Sequence, residues 1–302
     1  MKRFILFLSA TLLLSVAFAQ SQKLSYNLKQ GETYRQHMST NMLITQSMMG
    51  QIAEINTFLE MHTAFKVVAL TATGYKFEVA YSKFTSNNSI TGMGEMNYSS
   101  EDDAETTPIF ENMSTVLKAL KNNPFTVEMT KQGEVTGVTG LTALCEKVIA
   151  ELDVDNAVRE ALKVSIGQQF NDDVFLTQFK NVVFVYPDKT LSLGDSWTQH
   201  STINNNMVEL NLETKYTMKS ISGSELVLDA AATIEAKEQG VEIQGIPAIA
   251  NISGTQKGTI TINLATCWPS SSEVTQAMKG EIEVQGMKIP IELQGTTTMK
   301  DK

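Results

Sequence analysis

Two of the three histidines lie near an acidic residue in a pattern that permits metal binding. His37 falls in one segment of alternating polar and apolar residues, and Glu60 and His62 fall in the next. Imidazole nitrogens and carboxylate oxygens are zinc ligands, so these side chains would form a surface site if the two segments pair as strands. The spacing supplies no supporting residues around the ligands, as metal sites usually have. We therefore favour the alternative, a solvated polar face.

The sequence contains none of the motifs that mark common hydrolases, nucleotide-binding proteins and thiol redox enzymes, namely Gly-x-Ser-x-Gly, His-Glu-x-x-His, a phosphate-binding glycine loop and Cys-x-x-Cys. The acidic cluster Glu101, Asp102, Asp103 and Glu105 lacks the alternation and the glycine of a calcium loop. This favours an ordinary acidic loop over a weak calcium site. We expect a protein that is not an enzyme and that holds no cofactor and no metal.

Methionine is the one compositional excess, with 15 residues in the chain. Thioether side chains suit a pliable apolar binding surface or copper(I) ligation, and they also fill ordinary cores. Met93 and Met96 are the one close pair outside the turn at residues 48–49, and no histidine adjoins them. Copper is therefore the weakest interpretation, core filling is the simplest, and a pliable groove is the functional alternative.

The first twenty residues, MKRFILFLSATLLLSVAFAQ, have the order of an export signal: basic residues, an apolar run and a small-x-small cleavage site that ends at Ala19. The run falls short of the roughly 20 residues that span a bilayer, which disfavours a retained membrane helix, and no later stretch is long and apolar enough. We expect a periplasmic or extracellular protein without lipid attachment, because the first cysteine is Cys145. With Lys2 and Arg3 removed, the net charge of −9 becomes −11, which disfavours nucleic-acid binding.

Cys145 and Cys267 form either one disulfide or two separate buried thiols.

Alternation of apolar and polar residues predicts a long antiparallel meander at the start of the mature chain. Residues 33–45, 52–70 and 75–81 each alternate, as half-buried strands do. If the first turn centres on residues 48–49, Met38 lies opposite Leu59 and His37 lies opposite Glu60, so that like faces match across the pair. Residues 85–107, rich in Ser, Asn, Gly and Thr, predict a mobile loop.

Helical periodicity replaces this alternation between residues 108 and 181. Pro108 and the apolar spacing after it predict a first helix that ends before residue 124. A hairpin over residues 126–138 follows, and then three helical segments, with Asp155 and Asn171 as N-caps of the second and third. After residue 187 the pattern returns to strands, near 196–203, 207–220, 225–236, 258–266, 273–284 and 288–294, with short extended pieces such as 241–247 among them and no obvious helix.

One phrase occurs twice, as LKQGETYRQH at residues 28–37 and LSLGDSWTQH at residues 191–200. In each copy a glycine that can adopt a positive φ, Gly31 or Gly194, precedes an acidic residue and then an aromatic one, Tyr34 or Trp197. We interpret the phrase as the opening turn of each of two duplicated domains rather than as a functional motif. The predicted fold class is β-dominated α+β, with two curved, half-barrel-like antiparallel sheets. The signal peptide spans 1–19, the first domain spans 20–187 with helices at 108–181, and the second domain spans 188–302.

A G-[DE]-x-[YW] turn after an export signal, followed by a long β-meander and a helix-bearing insert, resembles a family of uncharacterised secreted proteins from Gram-negative bacteria, catalogued as a domain of unknown function. The stretch YPDKTLSLGDSW at residues 186–197 resembles the start of that family's second half. More distantly, a curved antiparallel sheet with helices against its concave face is similar to the half-barrels of periplasmic lipoprotein and lipid carriers. That similarity implies a groove for an acyl-bearing ligand.

These patterns predict a binding site between the sheet and the first helix. Its residues share the inward face of the first two strands or the apolar stripe of that helix: Tyr34, Met38, Met42, Leu59, Met61, Phe65, Met113 and Leu117. We expect an exported, non-catalytic binding protein for an apolar or amphipathic ligand such as a lipid. The alternative is a structural or interaction module whose partner is another envelope protein. A carrier would have a continuous apolar cavity, whereas an interaction module would have a filled core and an exposed apolar patch.

Overall fold

The computed structural model describes residues 21–48, 51–101, 111–204, 208–243 and 246–301, and within them the chain is β-dominated. The strands are β1 Gln22–Lys23, β2 Thr33–Met48, β3 Gln51–Leu70, β4 Gly74–Ile90, β5 Gly94–Ser99, β6 Phe125–Thr130, β7 Val135–Thr139, β8 Thr190–Leu191, β9 Ser196–Asn204, β10 Glu209–Ser222, β11 Glu225–Ile243, β12 Ile246–Asn263, β13 Pro269–Val284 and β14 Met287–Lys300. The helices are α1 Glu111–Leu120, α2 Leu141–Glu151, α3 Asn156–Gln169 and α4 Asp172–Val182.

Twelve of these strands form one antiparallel sheet. Its order is β7-β6-β4-β3-β2-β14-β13-β12-β11-β10-β9, and β5 pairs with β4. Strand β2 lies beside β14, so the two halves of the chain meet at the middle of the sheet. The short strands β1 and β8, which precede the two opening turns, pair with each other. One continuous sheet therefore runs through both halves, and the division into two duplicated domains stays a prediction.

Strand alternation gives this sheet two faces, because directly paired residues share a face and successive residues point to opposite faces. Tyr34 pairs with Phe65, whose ring lies 6.1 Å from the ring of Phe179 in α4, centroid to centroid. We call this side the helix face. The pair Asn41 and Phe58 lies in the same two strands but on the opposite side, which we call the groove face.

The main core lies between the helix face and the four helices. Tyr34 and Phe65 both contact Trp268, with ring centroids 5.1 and 5.3 Å apart respectively. Such aromatic pairs contribute about 0.5–1.5 kcal/mol beyond the area that they bury. The same cluster includes Val127 of β6 and Tyr216 of β10, so one core joins elements from both halves of the chain.

Side-chain caps explain where the helices begin. Asp155 and Asn171 each accept a hydrogen bond from the backbone N–H three residues ahead, at 2.9 and 2.8 Å, which confirms the predicted caps of α3 and α4. The carboxylate of Asp172, in the first turn of α4, accepts from the backbone N–H of Leu141 at 2.9 Å. A carboxylate at a helix N-terminus offsets the unpaired N–H groups and the helix dipole, so Asp172 links the starts of α2 and α4.

The opening turn has the same geometry in both copies. Gly31 and Gly194 each have a φ of 88°, a left-handed conformation that explains the glycine. The N–H of Gly31 donates to the carbonyl of Val67, and that of Gly194 donates to the carbonyl of Met218, both at 2.8 Å. In each copy the N–H of that strand residue, Val67 or Met218, donates in return to the carbonyl of the acidic residue after the glycine, at 3.0 Å. The repeated phrase therefore encodes a repeated turn.

The predicted register of the first hairpin is wrong by two residues. Met38 lies opposite Met61 rather than Leu59, because Met48 pairs with Gln51 and the turn falls one residue later than predicted. A two-residue shift leaves every side chain on its original face. Alternation therefore predicts the face correctly but does not determine the partner.

The predicted loop at 85–107 is wrong over its first part. Residues 85–90 continue β4, and residues 94–99 form β5. The polar side chains pair across these strands, as between Thr85 Oγ1 and Ser99 Oγ at 2.9 Å, and Asn88 Nδ2 donates to the carbonyl of Met96 at 3.0 Å. Gly92, with a φ of 80°, supplies the turn. Residues 102–107 of the predicted loop, with most of the acidic cluster, lie outside the described residues.

The predicted signal peptide at 1–19 also lies outside the described residues. Within the described part of the chain, no helix combines the length and the apolar character needed to cross a membrane. Cys145 and Cys267 are both buried and both free, so the alternative of separate thiols is confirmed. Burial raises the pKa of the Cys145 thiol to about 12, which makes this thiol unreactive at neutral pH.

Candidate functional site

The predicted binding residues of β2 and β3 share the helix face but differ in burial. Phe65 is buried under Trp268 and α4, and Tyr34 packs beside it. Met38 and Met61 lie directly opposite one another and are half-buried. The remaining two, Met42 and Leu59, are also half-buried and lie opposite threonines of the neighbouring strand.

Helix α4 covers the Phe65 end of this stripe. Phe179 of α4 contacts Phe65, whereas α1 packs against β5, α2 and α3. Leu117 of α1 is buried, and Met113 is half-buried at the edge of the same core. The structure thus places four of the predicted residues, Tyr34, Phe65, Met113 and Leu117, in or against the main core. The other four lie on the same sheet face, and the role of all eight in ligand binding stays a prediction.

Two cavities in the main core are too small for a ligand. One cavity, lined by Leu117 and Phe84 among others, has a volume of about 20 Å³. Another, lined by Phe65, Phe179 and Trp268 among others, has a volume of about 30 Å³. Each holds about one water molecule, whereas ligand pockets measure roughly 300–1,000 Å³. An acyl-bearing ligand does not fit either of these cavities.

A cavity of about 940 Å³ lies instead on the groove face. It crosses six neighbouring strands in the order β5-β4-β3-β2-β14-β13 and is lined by two rows of directly paired residues. The first row is Asn97, Asn87, Phe58, Asn41, Thr296 and Thr275, and the second is Glu95, Ser89, Asn56, Leu43, Gln294 and Ala277. Since neighbouring strands lie about 4.8 Å apart, the six strands give this groove a length of about 24 Å.

The amides of the groove retain hydrogen-bonding capacity. Within the described part of the chain, four of their side chains form no hydrogen bond with protein: Asn41, Asn56, Asn87 and Gln294. On the helix face, by contrast, one pair of amides is joined directly, since Gln256 Nε2 donates to Gln276 Oε1 at 2.9 Å. Each primary amide carries two donors and one acceptor. The groove therefore offers both kinds of hydrogen bond to a ligand.

A charged cluster lies on the same face, further along the strands. The rings of His37 and His62 stack, with centroids 3.7 Å apart. His62 Nε2 lies 2.8 Å from Glu60 Oε1, and Lys83 Nζ lies 2.7 Å from Glu60 Oε2. Burial raises the pKa of Glu60, but hydrogen bonds from Lys83 and His62 outweigh burial, so the pKa is lowered overall. The residues of the hypothetical zinc site do come together, yet no group of three or more ligand side chains in the described ranges is placed to hold a metal ion.

A smaller cavity of about 490 Å³ lies at the β9 edge, between α4 and strands β9–β11. Its lining includes Lys180, His200, Glu213 and Glu235. His200 Nδ1 lies 3.9 Å from Glu213 Oε2, and both side chains are largely exposed. Charged and polar side chains make up most of the lining of this cavity.

The apolar face of each strand gives the stronger signal in the sequence, and the groove lies on the other face. Of the eight predicted residues, Met42 alone borders the groove. The signal lay on the other face, where Asn41, Asn56 and Asn87 recur in three successive strands. Amides are depleted in strands, so their recurrence across one sheet face indicates a role other than stabilising the strands.

Residues 72–269 match the model of DUF6263, described as a family of unknown function. No protein with a curated description matches the chain. Among solved structures, the beta domain of the Bordetella autotransporter Brka is 8% identical, covers 90% of this chain and 100% of its own, and has a TM-score of 0.25. An outer membrane channel from Pseudomonas putida F1 is 10% identical, covers 92% of this chain and 97% of its own, and has a TM-score of 0.28. Overlaps this weak carry no argument about what the chain does.

Proposed function

We propose that this chain, which belongs to DUF6263, a family of unknown function, is an exported, non-catalytic binding protein whose amphipathic ligand lies in the groove. The observation that carries the proposal is the contrast in volume between the groove and the two cavities of the main core. The groove is an open depression of about 940 Å³, whereas those two cavities have volumes of about 20 and 30 Å³. Binding on the groove face leaves the packed core undisturbed.

The lining of the groove suits a ligand with apolar and hydrogen-bonding parts. Phe58 and Leu43 are half-buried apolar side chains, and amides and hydroxyls surround them. Specific sites combine apolar contact with a few placed polar groups in this way. Six strands of one sheet carry the lining, so the groove is largely formed before the ligand arrives, which limits the ordering cost of binding.

Binding without catalysis is supported by the chemistry that surrounds the groove. The twelve residues of its two rows include no histidine, cysteine or lysine, and Glu95 is their one carboxylate. These rows therefore lack the imidazole, thiol and amine groups that most often act as nucleophiles or general bases. The export signal and the acidic charge of the mature chain support a location in the envelope or outside the cell.

A protein-interaction module of the envelope is the second candidate, and one observation favours it. Ile52 and Met93 lie beside the hairpin ends of β2–β3 and β4–β5 and are 63% and 80% exposed. Exposed apolar side chains that cluster at one end of a sheet are typical of contact surfaces. The paired substitutions Ile52→Ser and Met93→Ser would abolish partner binding on this account and leave groove binding unchanged.

We further propose that the two halves are repeats, as their opening turns indicate. In each half the first aromatic residue pairs with an aromatic residue of the next strand, Tyr34 with Phe65 and Trp197 with Tyr216. The hydrogen-bonded strand residue lies two positions further on in both halves, at Val67 and Met218. The following strand is antiparallel in both halves. A shared register over three strands supports duplication within one sheet.

The binding proposal is tested by titration with n-dodecyl β-D-maltoside below its critical micelle concentration, which supplies apolar and hydroxyl groups together. Amide chemical-shift changes in the isotope-labelled protein should concentrate on the groove strands. Phe58→Ala should abolish them, and Met61→Ala, on the helix face of the same strand, should retain them. Shift changes that concentrate on the helix face, or that survive in Phe58→Ala, would contradict the proposed location.

A further inference from the structure

The charge of the groove restricts the class of ligand. Glu95 is the one ionisable side chain in the two rows, and Asn97 Nδ2 donates a hydrogen bond to its carboxylate at 3.0 Å. An anionic ligand would find no cation among the two rows to offset its charge, and a cationic one would find a single, exposed carboxylate. Desolvating a charge without a partner is costly, so the lining is complementary to a neutral molecule.

The hydrogen-bonding groups of the groove restrict the class further. The side chains of the two rows that form no hydrogen bond with protein in the described ranges are four primary amides and the hydroxyls of Ser89 and Thr296, groups that each both donate and accept. A ligand that matches them needs many groups that can both donate and accept hydrogen bonds. Hydroxyl groups have this property, since each is one donor and two acceptors. A lipid tail would leave these amides without partners once water is displaced, which is unfavourable.

Phe58 supplies an apolar contact between two of these amides. In the first row it lies directly between Asn41 and Asn87, on the neighbouring strands β2 and β4. Side chains at such positions have Cβ atoms about 4.5–5.5 Å apart, which is the scale of one sugar ring. A pyranose ring that lays its C–H face on the aromatic ring would direct its equatorial hydroxyls toward the amides on both sides.

The shape of the groove indicates a chain rather than a single sugar. The lined strip crosses six strands, over about 24 Å, and both of its rows carry polar residues at most positions. The longer dimension runs across the strands, so several rings of an extended chain contact the sheet at once. Successive contacts of this kind add affinity without any deep pocket.

From these features we propose that the ligand of the groove is a neutral oligosaccharide that lies across the strands, with one ring on Phe58 and its hydroxyls on Asn41 and Asn87. This inference rests on the proposed function, because it identifies the ligand of the same groove. The proposed function itself requires only that some amphipathic molecule binds there.

The experiment is calorimetric titration of the whole mature protein with four neutral hexasaccharides, namely maltohexaose, cellohexaose, mannohexaose and chitohexaose, and with hexagalacturonate as the charged counterpart. We expect at least one neutral hexasaccharide to bind, and to bind at least tenfold more tightly than hexagalacturonate. Phe58→Ala should weaken that binding at least tenfold, and Asn41→Ala and Asn87→Ala severalfold each. Met61→Ala should leave it unchanged, and Phe58→Leu should separate loss of the aromatic ring from loss of bulk.

Octaethylene glycol monododecyl ether, a neutral amphiphile without sugar, distinguishes failure of this inference from failure of the proposed function. If the amphiphile binds in the groove and no hexasaccharide does, the oligosaccharide is wrong and the binding function stands. If neither hexasaccharides nor amphiphiles bind in the groove, both are wrong. Binding of hexagalacturonate as tight as that of the neutral chains would overturn the argument from charge.

Discussion

The two faces of β3 predict opposite outcomes for two phenylalanines seven positions apart. Phe65 lies on the helix face, is 7% exposed and contacts Phe77, Phe179 and Trp268. Truncation of a phenylalanine in a packed core costs about 3–5 kcal/mol, and the neighbouring cavity of about 30 Å³ shows that this core has little slack. We expect Phe65→Ala to lose a free energy of unfolding within that range.

Phe58 is the matched control, because it lies in the same strand on the groove face and is half-buried. Its truncation exposes existing groove surface rather than an internal cavity, so we expect Phe58→Ala to cost about 1 kcal/mol, from partial loss of apolar burial. Equilibrium unfolding in urea, with unchanged m-values, measures both. Equal losses for the two variants, or a loss below about 1 kcal/mol for Phe65→Ala, would refute the assignment of the two faces.

Three further predictions concern the turns, the charged cluster and the buried thiol. Gly31→Ala and Gly194→Ala should each cost about 1–2 kcal/mol in urea unfolding, since an added Cβ meets nothing within 4 Å and the positive φ alone is penalised; clearly unequal losses would argue against equivalent turns. Because the pKa of Glu60 is lowered in the folded protein, its ionised form adds stability above the unfolded pKa of about 4.3, and this stability is lost as the pH falls through the folded pKa. Glu60→Gln should therefore flatten the acid limb of a profile of unfolding free energy against pH. An unchanged acid limb would contradict this prediction. With a pKa of about 12, Cys145 should resist iodoacetamide at pH 8 in the folded protein and react fully in urea; rapid labelling of the native protein would show that the thiol is not buried.

Local patterns in the sequence predict the elements well, because strands and helices are determined by neighbouring residues. Alternation identifies the strands of the first hairpin, and the caps Asp155 and Asn171 start their helices as predicted. The register was off by two because both alignments of β2 and β3 keep like faces together, so that only the turn distinguishes them. Residues 85–99 have the composition of a loop, yet cross-strand hydrogen bonds between their side chains support a strand pair.

Long-range pairing explains what the sequence could not reveal. The groove exists because β14 lies beside β2, which brings Gln294 and Thr296 next to Leu43 and Asn41, more than 250 positions earlier in the chain. No local period encodes such a contact. Likewise, the apolar stripe on α1 needs a surface to cover, but the stripe itself does not identify that surface. The sequence therefore identifies the strands on each side of the groove, but it does not predict that they lie together.

Native mass spectrometry of the protein recovered from its own host distinguishes a ligand that lies in the groove from one that lies under the helices. We expect a non-covalent adduct on the wild-type protein, with mass increments of neutral sugar units. The adduct should be absent from Phe58→Ala and retained by Met61→Ala. An adduct that persists in Phe58→Ala and disappears in Met61→Ala would contradict the account and place the ligand on the helix face.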